Sequence, residues 1–136
     1  MYFEVQVGIT IIDDRGKPKD VQENHIIDGC EFFAQAETAI MQHYEGDCDV
    51  LAIKKSKIRE FINDKKSEEE DIYVTTITQT YEINGKTTKM KYKVALYATS
   101  IQEATQRTQH YMAQGLDDMV CEEMKKTDFI DVLIYN

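Results

Sequence analysis

Tryptophan is absent from this chain, and proline occurs once, at Pro18. With only six glycines besides, there is no material for a long flexible or polyproline linker, since such segments are built from these residues. Apolar runs are short, and none approaches the ~20 residues that a helix needs to cross a bilayer. No membrane association is therefore expected. The start MYFEVQV has neither a basic stretch nor an apolar stretch of the secretory kind, so no signal peptide is expected and a cytoplasmic location follows.

Cysteine is sparse as well. Cys30, Cys48 and Cys121 are odd in number and unrelated in spacing. They form no Cys-x-x-Cys pair, and neither a disulfide framework nor a zinc site is expected. Positive charge is in short supply: 16 Lys/Arg face 25 Asp/Glu, for a net charge of -9. Residues 1–66 carry -4, residues 67–71 (SEEED) another -4, and residues 72–136 only -1. A duplex-DNA binder that works by phosphate neutralisation normally has a basic excess, so that class is disfavoured.

Catalytic signatures are missing too. No phosphate-cradling glycine loop occurs, and His25, His43 and His110 belong to no His-x-x-x-His pair and stand by no Ser or Cys nucleophile motif. Asp47-Cys48-Asp49 and Asp117-Asp118 follow the two helical stretches at matching places, but no EF-hand loop surrounds them. The expectation is a protein that is not an enzyme and carries no metal and no cofactor.

What is present is a segment written twice. Ile53-Lys54-Lys55-Ser56-Lys57-Ile58-Arg59-Glu60-Phe61-Ile62 and Met124-Lys125-Lys126-Thr127-Asp128-Phe129-Ile130-Asp131-Val132-Leu133 both read hydrophobic, Lys, Lys, hydroxyl, any, hydrophobic, any, acid, hydrophobic, hydrophobic. The elements ahead of each segment correspond as well. Phe3, Val5, Val7, Ile9 and Ile11 alternate with polar residues, which predicts a half-buried strand over Tyr2–Ile12. A polar turn with Pro18 and a second strand over Val21–Ile27 complete a hairpin. Asp28 and Glu31 have the spacing of a capping box, and Phe33, Ala36, Ile40 and Tyr44 form one helix stripe up to Gly46. Val50–Lys54 reads as a third strand.

The second copy repeats this order. A strand over Ile72–Ile83 meets Asn84-Gly85, the strongest short hairpin signal, and Thr87–Tyr97 returns. Ser100 and Glu103 cap a helix with Ile101, Ala104, Thr108, Tyr111 and Met112 on its stripe, and Met119–Lys125 is the last core strand. The reading is one domain of two tandem strand-strand-helix-strand repeats. Residues 1–64 are the first copy, 65–71 an acidic junction, and 72–136 the second copy. A half of this size is marginal alone, so the copies are expected to share a core and an antiparallel-rich sheet with the helices on one face, an α+β fold.

Several of these residues carry a family resemblance. Tyr2-Phe3-Glu4, the Ile26-Ile27-Asp28 entry to a Glu/Ala-rich helix, the Lys-Lys segments, and a second half that opens at Tyr73 and closes on Asp131-Val132-Leu133-Ile134-Tyr135 resemble the domain-of-unknown-function family 4494. The resemblance covers nearly the whole chain. Members of that family occur in gut Bacteroidetes and in the crAss-like phages that infect them. The resemblance therefore implies a phage or mobile-element protein of the Bacteroidetes, acting in the bacterial host cytosol, with no established activity.

Two polar features qualify as binding sites. The first is Lys86, Lys89, Lys91 and Lys93, read as one strand face with Tyr92 and Tyr97 nearby. Cations that track a backbone, with aromatics for stacking, are how single strands are held, although alternation sets Tyr92 and Lys91 on opposite faces. The competing view is a solvated face, or an edge protected by lysines. The second is the pair Lys54-Lys55-Ser56 and Lys125-Lys126-Thr127, whose cations and hydroxyls suit a nucleotide. Its bland alternative is that the lysines end a strand and the apolar residues behind them dock on the neighbouring copy. Three functions follow as expectations: a non-catalytic binding module with a protein partner or a second copy of itself, a single-stranded DNA-binding accessory protein, or a counter-defence protein that sequesters a signalling nucleotide.

Overall fold

A computed structural model describes residues 1–115 and 118–136. In chain order the elements are β1 (Phe3–Ile12), β2 (Pro18–Asp28), α1 (Phe33–His43), β3 (Asp49–Lys55), β4 (Ile58–Phe61), β5 (Asp71–Ile83), β6 (Lys86–Ala98), α2 (Ile101–Ala113), β7 (Asp118–Lys126) and β8 (Phe129–Ile134). Both hairpins, both helices and both third strands stand where the periodicity puts them, and the class is α+β. No helix among the described residues is long and apolar enough to cross a membrane.

In place of one shared sheet there are two, with strand orders β3-β1-β2-β8 and β4-β6-β5-β7. They belong to two compact units: Met1–Ser56 with Asp128–Asn136, and Lys57–Thr127. The reason lies in the twice-written segment. After β3 the chain passes Ser56 and Lys57, and β4 pairs with β6 of the second unit. After β7 it passes Thr127 and Asp128, and β8 pairs with β2 of the first unit. Each unit thus takes its fourth strand from the other's stretch of sequence. Both of these pairings are parallel and all the others antiparallel, so each sheet is mixed.

The two crossings are anchored alike. The Ser56 amide donates to the Tyr2 carbonyl at 2.9 Å, and the Thr127 amide to the Ile72 carbonyl at 3.0 Å. The Thr127 hydroxyl adds a second bond to that carbonyl at 2.8 Å.

In the first unit Phe3, Val5 and Val7 point from β1 into a core with Ile27, Cys30, Ala36, Ala39 and Ile40. Leu133 and Tyr135, brought in with β8, pack against it. The second unit gathers Tyr73, Leu96, Ala98 and Ala104, with Ile62 arriving behind β4. The borrowed segments therefore complete apolar cores as well as sheets.

The start of α1 differs from expectation. Asp28 ends β2, and Gly29 turns the chain at φ +86°. The N-cap is Phe32, whose ring has nothing to offer an amide. Gln35 reaches back instead, its Oε1 accepting the amides of Glu31 (2.7 Å) and Phe32 (3.0 Å). At α2 the expected cap forms, with Ser100 Oγ accepting the Glu103 amide at 3.1 Å. Phe33 and Ile101, the first residues of the two stripes, are half exposed, while Ala36, Ala39 and Ile40 in α1 and Ala104 and Thr108 in α2 are buried.

Candidate anion-binding face

β5 and β6 have 13 residues each and turn at Asn84 and Gly85, both with left-handed φ (52° and 77°). That is the geometry a two-residue hairpin asks for, and Asn-Gly tolerates it at little cost. The register sets Lys89 opposite Thr80, Lys91 opposite Thr78 and Lys93 opposite Thr76. Alternation puts these six side chains on one face, with successive lysines spaced about 6.6–6.8 Å along the strand. The Thr78 hydroxyl, at the middle of the row, is buried without a hydrogen-bond partner among the described residues. On the far side of β5, Asp118 stands opposite Thr80 and Glu123 opposite Thr76, so the row has acidic neighbours on β7.

Among the described residues Lys89, Lys91 and Lys93 have no ion pair, unlike three of the four lysines of the twinned Lys-Lys segments. Lys54 lies 3.7 Å from Glu4, Lys125 3.0 Å from Glu123 and Lys126 3.3 Å from Asp71. Lys55 is exposed. Lys54 and Lys55 belong to the first unit, Lys125 and Lys126 to the second. Ser56 and Thr127 anchor the two crossings.

One lysine of the expected stripe stands elsewhere, and Tyr92 lies on the opposite face from Lys91, as alternation sets it. Lys86, opposite Ile83, falls by alternation on the other face of β6. Tyr92, opposite Ile77, also faces that way. Its hydroxyl reaches Met119 Sδ at 3.9 Å, and the Arg59 guanidinium lies 4.8 Å from its ring centroid. Tyr97 is buried and stacks near Phe61, with centroids 5.5 Å apart. The lysine face is thus a row of cations and hydroxyls, and neither tyrosine offers it a stacking surface.

The histidines lie apart from this face. His25 is buried, with Nε2 against the Tyr44 hydroxyl, which donates to Glu23 Oε1 at 2.7 Å. Burial, helped by neighbouring His43, pushes the His25 pKa down despite Glu23 and Asp131. Burial and the bond to Glu23 push the Tyr44 hydroxyl up. The second unit holds a similar pair, Tyr111 donating to Glu60, again with a raised tyrosine pKa from burial and that bond. Sequence reading missed both pairs because it treated Tyr44 and Tyr111 as apolar stripe positions. Asp47 and Asp49 line an open cleft of about 660 Å³ with Thr10, Asp20 and Cys48. Asp117 lies outside the described residues. No group of three metal-ligating side chains is found among the described residues.

With this geometry in place, the family can be decided by comparison. The profile described as Domain of unknown function (DUF4494) matches residues 1–135. The chain belongs to the DUF4494 family. Neither the curated proteins nor the solved structures contain a significant match to this DUF4494 chain.

Proposed function

We propose that this DUF4494 chain is a non-catalytic, phage-associated binding protein of the bacterial cytosol that holds single-stranded nucleic acid along the Lys89–Lys91–Lys93 face. The observation that carries the reading is the row itself: three lysines at strand spacing, flanked by threonines and free of ion pairs among the described residues. Lysine ammoniums track phosphates as point charges, and the half-buried Thr76 and Thr80 can add hydroxyl hydrogen bonds to phosphate oxygens, the Thr78 hydroxyl being buried. With Tyr92 on the opposite face, binding is to the backbone and sequence-indifferent. The tandem duplication is part of the same proposal, supported by the shared strand order of the two units.

The nucleotide-sequestering reading has less support, because Lys54, Lys125 and Lys126 are each committed to a carboxylate. Mass spectrometry of the supernatant from heat-denatured protein checks it, and a released nucleotide would revive it.

Titration of labelled oligo-dT at several salt concentrations tests the main proposal. Affinity should fall steeply with salt. A Lys89→Ser/Lys91→Ser/Lys93→Ser variant should lose most of the binding at low salt. Its log–log salt slope should flatten by about 2, at roughly 0.7 for each phosphate that is no longer neutralised. No binding by the parent protein at low salt sinks the proposal, and an unchanged slope in the variant moves the site off this face.

A further inference from the structure

Each sheet has two edge strands, β3 and β8 in the first unit and β4 and β7 in the second. An edge presents unpaired backbone groups to any passing strand, and proteins blunt it with charge, brevity or bulges. Three of these edges are blunted. β3 ends in Lys54-Lys55, and its pairing slips a residue between Gln6 and Val7. β7 carries Asp118, Glu122, Glu123, Lys125 and Lys126, and is bulged opposite Thr76 and Ile77. β4 is four residues long and includes Arg59 and Glu60.

β8 differs from all three. It reads Phe129-Ile130-Asp131-Val132-Leu133-Ile134 and has one charge. Its register break lies at the start, and Asp131–Ile134 then pair regularly with His25–Asp28. Leu133 is turned to the core, but Ile130 and Ile134 are 49% and 66% exposed. The Val132 amide is held by the Oδ1 of its own neighbour Asp131 at 2.8 Å, a bond that a pairing strand exchanges for one to its carbonyl. On those terms an apolar strand with exposed isoleucines at a sheet edge is a pairing site for another strand.

We propose that β8 pairs antiparallel with β8 of a second copy of this chain, about a twofold axis at Val132. The strand's own pattern selects both the partner and the register. Centred on Val132, the pair sets valine opposite valine and each exposed Ile130 opposite an exposed Ile134, so apolar side chains meet apolar ones twice over. Each Asp131 then faces Leu133. A centre at Asp131 puts two carboxylates opposite each other, and a centre at Leu133 leaves Ile130 against Asn136. Charge opposes the union without preventing it. The first unit holds 5 Lys/Arg against 13 Asp/Glu, the second 11 against 12. Two units of charge -8 repel at low salt, and salt screens that repulsion. Dimerisation therefore strengthens with salt, the reverse of nucleic-acid binding, and it is independent of that proposal.

The test is sedimentation of the full chain from about 1 μM to about 1 mM, at low and high salt. A monomer–dimer equilibrium that shifts toward dimer with salt is expected. An Ile130→Lys/Ile134→Lys variant, with unchanged circular dichroism, should dimerise at least about tenfold more weakly, since both apolar pairs are removed and lysine faces lysine. A Val132→Cys variant should cross-link under mild oxidation, detected as the peptide joined to itself through position 132, because opposed residues of an antiparallel pair have Cα atoms about 4.5–5.5 Å apart, within disulfide reach. A monomer at every concentration and salt overturns the proposal. So does a dimer indifferent to the double substitution, or one in which the Val132→Cys peptides do not join, either of which would place the interface elsewhere.

Discussion

Arg107 on α2 holds Glu70, the residue just ahead of β5, with Nη1 2.7 Å from Oε2. Glu70 is the one buried carboxylate among the described residues. It also accepts the amides of Lys66 and Ser67, while Arg107 bonds the Tyr97 carbonyl and lies 2.7 Å from Glu103. One guanidinium thus ties the acidic junction, β6 and α2 together. Arg107→Ala should destabilise the second unit by about 2–3 kcal/mol. That is nearer the value of a hydrogen bond to a charged group than of a fully buried ion pair, because part of Arg107 is open to water. Denaturant unfolding measures it, and a loss within error of zero would make the ion pair ornamental.

The same pair sets an acid limit on stability. The Arg107 hydrogen bond, with the Lys66 and Ser67 amides, holds the Glu70 carboxyl below the usual carboxylate range against the opposing effect of burial. A folded-state pKa below the unfolded one means that the stabilisation is complete above the unfolded value of about 4.3 and is lost as pH falls through the folded value. Glu70→Gln should remove that slope. Unfolding midpoints measured between about pH 6 and pH 3 should therefore fall less in the variant than in the parent.

Tyr44→Phe should cost about 1–3 kcal/mol, although it deletes a single oxygen. The hydroxyl bridges His25 Nε2 and Glu23, and His25 Nδ1 already has no partner among the described residues. Without the bridge, a buried imidazole loses its hydrogen bond. His25 has a depressed pKa in the fold, so its share of stability is present above about pH 6.5 and declines as pH drops below that value. Thermal melts of the parent and of His25→Gln at pH 7.5 and 5.5 separate this share, and equal pH dependence would contradict it.

Residues 1–66 alone should give no cooperative melt as a monomer. That fragment contains β4 without β6, and its β2 lacks β8 together with Leu133 and Tyr135. A dilute sample followed by circular dichroism and sedimentation decides the matter. A monomer that melts cooperatively would mean that the borrowed strand is dispensable.

Gly29→Ala should destabilise the first unit by about 1–2 kcal/mol. Its φ is +86°, and an added Cβ would come within 3.2 Å of the Tyr135 carbonyl oxygen, where the chain after β8 is pinned by the Tyr135 amide on the Asp28 carbonyl. A Gly29→Asn variant, better suited to positive φ, should lose less by chemical denaturation. If both lose equally, steric crowding and not backbone strain is responsible.

Much of the fold was legible from short stretches. Period-two alternation marked β1, Asn84-Gly85 marked the second hairpin, and Ser100 with Glu103 marked the start of α2, because each signal acts within a few residues of itself. The start of α1 was misplaced since Asp28 and Glu31 have cap spacing, yet Asp28 still belongs to β2, paired with Ile134 of β8. Of the lysine row, Lys89, Lys91 and Lys93 were readable from alternation alone, and Lys86 was grouped with them against that same rule. The ion pairs of Lys54 and Lys126 were not readable, because Glu4 and Asp71 are neighbours only across paired strands, whereas Lys125 pairs with Glu123 two residues away on its own strand.

By itself the sequence determined the elements, their order, the doubled Lys-Lys segment and the apolar residues behind it, since local propensity and side-chain periodicity are properties of adjacent residues. Only the tertiary structure decided where those doubled segments lead. Apolar residues in a short strand say that it must be buried, but they do not say beside which edge. Ile58 and Phe61 satisfy that demand next to β6, and Val132 and Leu133 satisfy it next to β2. The choice rests on pairings across more than thirty and more than one hundred residues, and no local signal carries that information.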